Sequence, residues 1–272
     1  MPILINQYHE FFQGRKVLVT GGGGHLGSQL VRLLIACKAQ VSLIVRPSTD
    51  TWRLSDQFSN ITIHQADITQ LDAKALAERI EPIDFIYHIA AAGVNPQVND
   101  ANVLIRSNVE GTLNVLKLAK ILEAKRFIYC GSCFEYGSGE YFKEEMWPKP
   151  NCEYGASKVA GWVLAHAFGR KHGLPLVSLR PFTLYGPWES PHRLVSHVIR
   201  SVIEKKDIDL TDGKQSRDFV FIDDAARAFL NAAYLPSIEG ETFNVGSGRS
   251  TTVKQMVDLI LHLMRSKIKI NW

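Results

Sequence analysis

The sequence has only four cysteines, no long apolar run and no block of like charge. Cys37, Cys130, Cys133 and Cys152 follow no disulfide spacing. Cys130 and Cys133 form a C-x-x-C, but no second pair completes a zinc set, so neither metal nor redox chemistry is assigned to them. Free thiols fit a reducing compartment. No stretch reaches the roughly 20 residues of a membrane span, and the N-terminus lacks a signal-peptide pattern. The cytoplasm is the expected location, with no membrane partner. The net charge of +4 is mild and the basic residues are scattered. With no aromatic-basic stripe, nucleic acid is not an expected partner. Internal repeats and low-complexity linkers are also absent.

What is present is an ordinary globular composition, 46% hydrophobic and 21% charged over 272 residues. That length suits one large α/β unit, or a large domain with a small one. The chain is organised around Val17-Leu18-Val19-Thr20-Gly21-Gly22-Gly23-Gly24-His25-Leu26-Gly27-Ser28. An apolar strand runs into a glycine cluster, and an apolar helical pattern follows at once. Gly21, Gly24 and Gly27 have the spacing G-x-x-G-x-x-G, in the strand–turn–helix context of a dinucleotide-binding fingerprint. Glycine permits a positive φ and lets backbone N–H groups approach a pyrophosphate. The helix start behind it offers unpaired donors and the positive end of a dipole.

Strands are predicted at Lys16–Thr20, Val41–Val45, Ile61–His64, Phe85–Ile89, Arg126–Cys130 and Leu176–Arg180, with helical patterns between them. Such alternation means a Rossmann-type, right-handed, doubly wound parallel sheet. Residues 1–14 form a lead-in whose Tyr8, Phe11 and Phe12 pack across the sheet edge or a neighbour. Residues 15–181 are the dinucleotide-binding unit, with 218–246 returning to it in part. Residues 182–272 are mainly a small mixed α/β substrate-binding part.

The end of the second strand bears on the cofactor. An acid there would bind ribose hydroxyls, about twenty residues past the glycines. This chain has Val45, then Arg46-Pro47-Ser48. Arginine with a nearby hydroxyl suits a 2′-phosphate, which points to NADP. The alternative is that Arg46 stacks on adenine while NAD binds. Asp67, followed by Ile68, could accept from the adenine amino group or simply cap the helix near Thr69. Ala90 and Ala91, past the fourth strand, leave room for a flat cofactor. Asn108, inside a helix, reads as structural or as a holder of a backbone group or water near the site.

Tyr154 and Lys158 lie four apart at a helix start and point to one face. A phenol is a poor base at neutral pH, and an ammonium one turn away would lower its pKa. Tyr154 could then exchange a proton with a sugar hydroxyl or carbonyl while hydride moves to or from nicotinamide. Ser132, just past the fifth strand, would hydrogen-bond the same oxygen. The plainer alternative is a helix-start aromatic with a solvated lysine. It loses ground because the glycine turn, the serine and the Tyr/Lys pair occur together.

Thr20-Gly21-x-x-Gly24-x-x-Gly27, Asp67-Ile68, Gly131-Ser132-x-x-x-Tyr136-Gly137, Tyr154-x-x-x-Lys158, Arg180-Pro181-Phe182 with Tyr185-Gly186-Pro187, and Arg217-Asp218-Phe219-x-x-Ile222-Asp223-Asp224 occur in that order. Together they resemble the extended short-chain dehydrogenase/reductases, the nucleotide-sugar epimerase/dehydratase family, from about Lys16 to Met264. The resemblance implies catalytic roles for Ser132, Tyr154 and Lys158. It implies dinucleotide contacts from Gly21, Gly24, His25, Leu26, Gly27, Arg46, Ser48, Asp67, Ile68, Ala90, Ala91, Asn108, Tyr154, Lys158 and Pro181. Ser132, Thr183 and Arg217 would meet the substrate, with Arg217 on its diphosphate unless it pairs with Asp218 or Asp212. A homodimer through the helices near Asn102–Leu122 and Tyr154–His172 is likewise implied.

The departures matter too. Dehydratases of this family carry an Asp-Glu pair directly after the catalytic hydroxyl residue. Here Cys133 and Phe134 stand there, which argues against 4,6-dehydration, and Glu135 is one place late. His25 replaces a usual aromatic, and Thr183 or Leu184 a usual asparagine. The chain stops at Trp272 where many relatives continue, implying a smaller or more open pocket or a truncated chain. The leading expectation is an NADP-dependent reductase of a nucleotide-linked 4-keto-6-deoxy sugar. The alternatives are an NAD-dependent C4 epimerase and a non-catalytic NADP(H) sensor or scaffold; Ser132, Tyr154 and Lys158 argue against the last.

Overall fold

The computed structural model describes residues 2–95 and 100–272; Met1, in the expected lead-in, lies outside them. Its centre is one seven-stranded parallel sheet, ordered β11-β6-β5-β4-β1-β2-β3. The strands are β1 (Lys16–Thr20), β2 (Gln40–Val45), β3 (Ile61–Gln65), β4 (Phe85–His88), β5 (Arg126–Cys130), β6 (Leu176–Pro181) and β11 (Thr242–Val245). All four residues of β4 and all five of β5 are buried, as expected for strands covered on both faces. The Rossmann-type sheet expected from the sequence is therefore present.

The chain steps from β1 outward to β2 and β3, then crosses to β4 on the other side of β1. The carboxyl ends of β1 and β4 thus flank the reversal point, where such sheets leave a ligand crevice. Thr20 closes β1 there, in register with His88 of β4.

One face of the sheet is covered by α1 (Pro2–Phe12), α2 (His25–Ala36) and α8 (Ile222–Tyr234). The lead-in is thus a helix. Its Tyr8 hydroxyl donates to Asn231 at 2.5 Å, and Phe11 stacks on Phe85 at the start of β4. It packs under the amino-terminal end of the sheet rather than across an edge.

The other face carries α3 (Ala73–Ala77), α5 (Gly111–Ile121) and α6 (Glu153–His172). The helix expected over Asn102–Leu122 is interrupted. A short α4 (Ala101–Ile105) runs through a π turn, Arg106–Glu110, into α5. Single π turns are commonly found where a helix is adapted to a functional site. α6 ends on Gly173 at φ 68°, with Arg170, Lys171 and His172 in its last turn facing the negative end of the dipole. Gly161 lets it lie against Tyr129, because a Cβ there would sit 2.6 Å from that hydroxyl.

A smaller third cluster joins α7 (Leu194–Glu204) to α9 (Val253–Leu263). Around it lie three two-stranded pairs: β7 (Thr183–Tyr185) with β10 (Phe219–Phe221), β8 (Ile208–Asp209) with β13 (Ile270–Asn271), and β9 (Ser216–Arg217) with β12 (Thr251–Thr252). Among the described residues no helix is long and apolar enough to cross a membrane.

Candidate active site

The glycine turn is built for a close backbone approach. Gly21 has φ +75°, and a Cβ on it would lie 2.5 Å from the Ala90 nitrogen at the end of β4. A Cβ on Gly27 would collide with the Gly21 carbonyl oxygen. Gly24 caps α2 in an extended conformation, without any side-chain cap. The N–H groups of His25, Leu26 and Gly27 therefore begin a twelve-residue helix with no preceding helical carbonyl to bond. An uncapped helix start behind glycines too crowded for a Cβ fits a dinucleotide pyrophosphate.

Past β2, Arg46 and Ser48 are exposed. The next acid in the chain, Asp50, accepts from the Trp52 N–H at 2.9 Å. No carboxylate follows β2 in the chain before Asp50. Arg53 donates to Gly23 O and, at 2.9 Å, to Trp188 O, tying the crevice to the loop after β7. His25 joins the same loop, 3.0 Å from the Pro187 carbonyl. Burial lowers His25 to about 4, so the ring is neutral and donates from Nε2.

Three residues expected to meet the cofactor also bond or pack within the protein. Asp67 Oδ1 accepts from Thr69 N at 2.9 Å, so it caps the 3-10 turn Ile68–Gln70. Ile68 points into the core against Gly111, and its carbonyl accepts from Asn114. Asn108 is 1% exposed, with both polar ends of its amide engaged by Ala92 and Ser157. It holds the loop after β4 through Ala92. Pro181 ends β6 opposite Val245 of β11.

A buried chain of hydrogen bonds crosses the crevice floor. Ala90 N donates to Thr20 Oγ1, which lies 2.8 Å from His88 Nδ1; His88 Nε2 lies 2.9 Å from Thr112 Oγ1. Thr112 in turn donates to the Asn108 carbonyl at 2.7 Å. Each hydroxyl has one proton, so the Nε2-protonated tautomer satisfies every member. Burial lowers His88 to about 3, and the Lys158 charge adds to this. Sequence reading missed this histidine, although a lone polar residue in an apolar strand signals a bonded buried group.

Ser132 follows β5, and Tyr154 and Lys158 lie one turn apart on α6. The Ser132 side chain lies near the Tyr154 phenol and works to lower its pKa. Contrary to expectation, the phenol is raised, not lowered. Burial dominates, and Cys130, Cys133 and Glu135 add to it. The Lys158 ammonium, itself lowered by burial, lies 4.7 Å over the Tyr129 ring. Phe134 packs edge-on to Tyr154, with ring centroids 5.8 Å apart. Burial also lifts the Cys133 thiol to about 11 against the opposing field of Arg217. It is no acid or base for neutral pH.

Thr183 and Arg217 line a cleft of about 630 Å³ beside Arg193, Glu189, Tyr185 and Phe219. The carboxylates that might have taken Arg217 are occupied. Asp218 accepts from Ser247 and Gly248, and Asp212 pairs with Lys214. Arg217 is thus available to an anion, and Arg193, which caps α7, is a second cation on the same cleft. No motif or periodicity around Arg193 singles it out in the sequence.

The sequence matches the NAD dependent epimerase/dehydratase family over residues 17–246. The UDP-glucuronate 4-epimerase of Thermodesulfobacterium geofontis is 30% identical over 266 residues, covering 93% of this chain and 81% of that protein. In structure the chain is similar to a UDP-N-acetylglucosamine 4-epimerase from Methanobrevibacter ruminantium in complex with UDP-N-acetylmuramic acid. The TM-score is 0.87 at 25% identity, over 95% of this chain and 85% of that one. The UDP-glucuronic acid 4-epimerase of Bacillus cereus, in complex with UDP-glucuronic acid and NAD, superposes at a TM-score of 0.81 with 27% identity, over 94% of this chain and 85% of that one. The chain therefore belongs to the NAD dependent epimerase/dehydratase family and is an enzyme of the extended short-chain dehydrogenase/reductases.

Proposed function

We propose that the chain catalyses hydride transfer at C4 of a nucleotide-diphosphate sugar, and that it reduces a 4-keto-6-deoxy sugar with NADPH. One observation carries the reading: Tyr154, one helical turn from Lys158 and with its phenol near Ser132, abuts Gly93 of the loop after β4, and Ala90 of that loop abuts Gly21 of a turn that fits a dinucleotide. Bound there, the nicotinamide supplies hydride to C4. Burial keeps the Tyr154 phenol protonated at neutral pH, so it begins as an acid. It gives its proton to O4 as the carbonyl becomes an alcohol. Ser132 donates a hydrogen bond to the same oxygen. The buried Lys158 ammonium supplies positive charge near the phenolate that remains. Arg217 and Arg193 suit the two phosphates, because guanidinium forks match phosphate oxygens. Arg46 and Ser48, with no acid beside them, suit a 2′-phosphate.

A second reading, NAD-dependent C4 epimerisation, is favoured by the likeness to 4-epimerases, one of them bound to NAD. The same residues would then first take the proton from the C4 hydroxyl and later return it. The test is a screen of nucleotide sugars and 4-keto sugars with NADH and NADPH, read by nicotinamide absorbance and product mass. Consumption of NADPH with a 4-keto sugar supports reduction. Interconversion of two nucleotide sugars by protein that carries its own NAD replaces it with epimerisation. No turnover of either kind removes both.

The homodimer is also part of this reading. Ile121 on α5 and Val163 on α6 are 45% and 50% exposed, an apolar face on the two helices expected to pair.

A further inference from the structure

Glu135 has no part in the chemistry above, yet it lies fully buried directly behind Ser132. Its Oε1 accepts the Ser132 N–H at 2.8 Å, and its Oε2 accepts from Arg180 Nε at 2.6 Å. The Ser132 hydroxyl accepts the Phe134 N–H at 3.2 Å, closing a reciprocal cap on the turn Cys133–Glu135. Arg180 is equally buried. Its Nη1 donates to the Tyr136 hydroxyl at 2.9 Å, and its guanidinium carbon lies 4.8 Å from the rings of Tyr136 and Trp162. Gly131 leaves space for the carboxylate, because a Cβ there would collide with Glu135 Oε1.

A buried ion pair is a poor device for stability, since desolvating both charges offsets most of their attraction. Its placement points to another use. Oγ of Ser132 lies on a circle about the Cα–Cβ bond; the backbone sets where that circle lies, and the Phe134 N–H selects the position on it. Anchoring the Ser132 N–H to an immobile carboxylate, itself held by a guanidinium between two rings, fixes the backbone, and with the Phe134 N–H on Oγ this leaves the hydroxyl oxygen little freedom. We propose that Glu135, locked by Arg180, is a positioning residue that sets the Ser132 hydroxyl against Tyr154. This rests on the reading of Ser132 and Tyr154 given above.

Removing either charge alone would strand the other in the core, so the test uses paired variants. Glu135→Gln with Arg180→Met keeps an acceptor for the Ser132 N–H and no buried charge. Glu135→Leu with Arg180→Met removes the acceptor as well. Steady-state rates and dinucleotide affinity are measured for both, with hydrogen exchange of the Ser132 amide in the proteins free of substrate. The Leu/Met enzyme is expected to lose about 10²-fold in kcat, as misplaced catalytic groups do, with KM and dinucleotide affinity near those of the parent. The Gln/Met enzyme recovers most of that loss. The Ser132 amide exchanges about fivefold faster or more in Leu/Met than in Gln/Met. Equal kcat in the two variants, or a loss confined to KM or dinucleotide binding, overturns the proposal. If the parent itself turns over no nucleotide sugar, the functional reading fails. The amide then decides alone, and equal exchange in the two variants overturns the positioning role.

Discussion

Asn108 grips Ala92 by both of its backbone groups: the Ala92 N–H donates to Oδ1 at 2.8 Å, and Nδ2 donates to the Ala92 carbonyl at 3.1 Å. The same Nδ2 donates to Ser157 at 2.8 Å, three residues past Tyr154 on α6. The π turn that carries Asn108 thus fastens the loop after β4 to the helix that bears Tyr154. Asn108→Leu, of similar volume, leaves the Ala92 groups and Ser157 without these partners. Urea unfolding should show a loss of about 2–4 kcal/mol. Dinucleotide affinity should fall as well, measured by quenching of protein fluorescence. A variant with unchanged affinity would separate the loop from the cofactor site.

Tyr154→Phe is expected to lower kcat by about 10²- to 10⁴-fold while dinucleotide affinity stays near that of the parent. The pH profile carries a sign. Because burial raises the phenol, keto reduction should hold steady through neutral pH and decline only in the alkaline range. Sugar oxidation by the same enzyme should rise over that range. Full turnover by the phenylalanine variant would remove Tyr154 from proton transfer.

Arg46→Asp should move cofactor preference from NADPH toward NADH by more than about tenfold, since an acid at that strand end binds ribose hydroxyls and repels a 2′-phosphate. Ratios of kcat/KM for the two cofactors read the change. A parent enzyme that already prefers NADH by that margin would leave Arg46 without the proposed role.

His25, His88 and His166 are held down to about 4, 3 and 4, in each case chiefly by burial. The unfolded chain, with histidines near 6.5, then binds more protons than the folded one between these values. Their stabilisation is complete above about pH 6.5 and is lost as the pH falls through the folded values. Urea midpoints should therefore decrease steadily from about pH 7 to about pH 4. The slope should be shallower in a His166→Gln protein, whose amide can still bond Ser178. A flat profile would contradict the burial of these rings.

Val163→Glu places a charge in the exposed apolar face of α6. In light scattering it should shift a dimer to a monomer with unchanged circular dichroism. A parent that is itself monomeric, or a variant that remains dimeric, would place any dimer contact elsewhere.

The strands and the glycine turn were legible because their signals are local: β-branched runs, a stop at Gly21, a helical stripe from Leu26. The Tyr154–Lys158 spacing was legible for the same reason. The lead-in helix was not, because its anchoring partners, Asn231 and Phe85, are far away in the chain. Glu135 could be seen to stand one place late, but its partner Arg180 lies 45 residues on. The pKa of Tyr154 was misjudged because spacing shows that Lys158 is near and not how far the phenol is withdrawn from water. Asp67 and Asn108 bond nearby backbone as well, contacts that spacing alone does not show.

β11 adds one more consequence. The chain leaves the large sheet at Pro181, builds the cluster around α7 and β10, and only then lays Thr242–Val245 beside β6. α8, on the way back, packs on α2 behind the glycine turn. The last strand of the sheet can be added only after about sixty intervening residues have been gathered in, so this edge closes through contacts distant in sequence. A break in the peptide chain near residue 182 would not release a finished nucleotide-binding half. It would leave β6 as a bare edge and α2 without its cover, and the two stretches should melt as one cooperative unit.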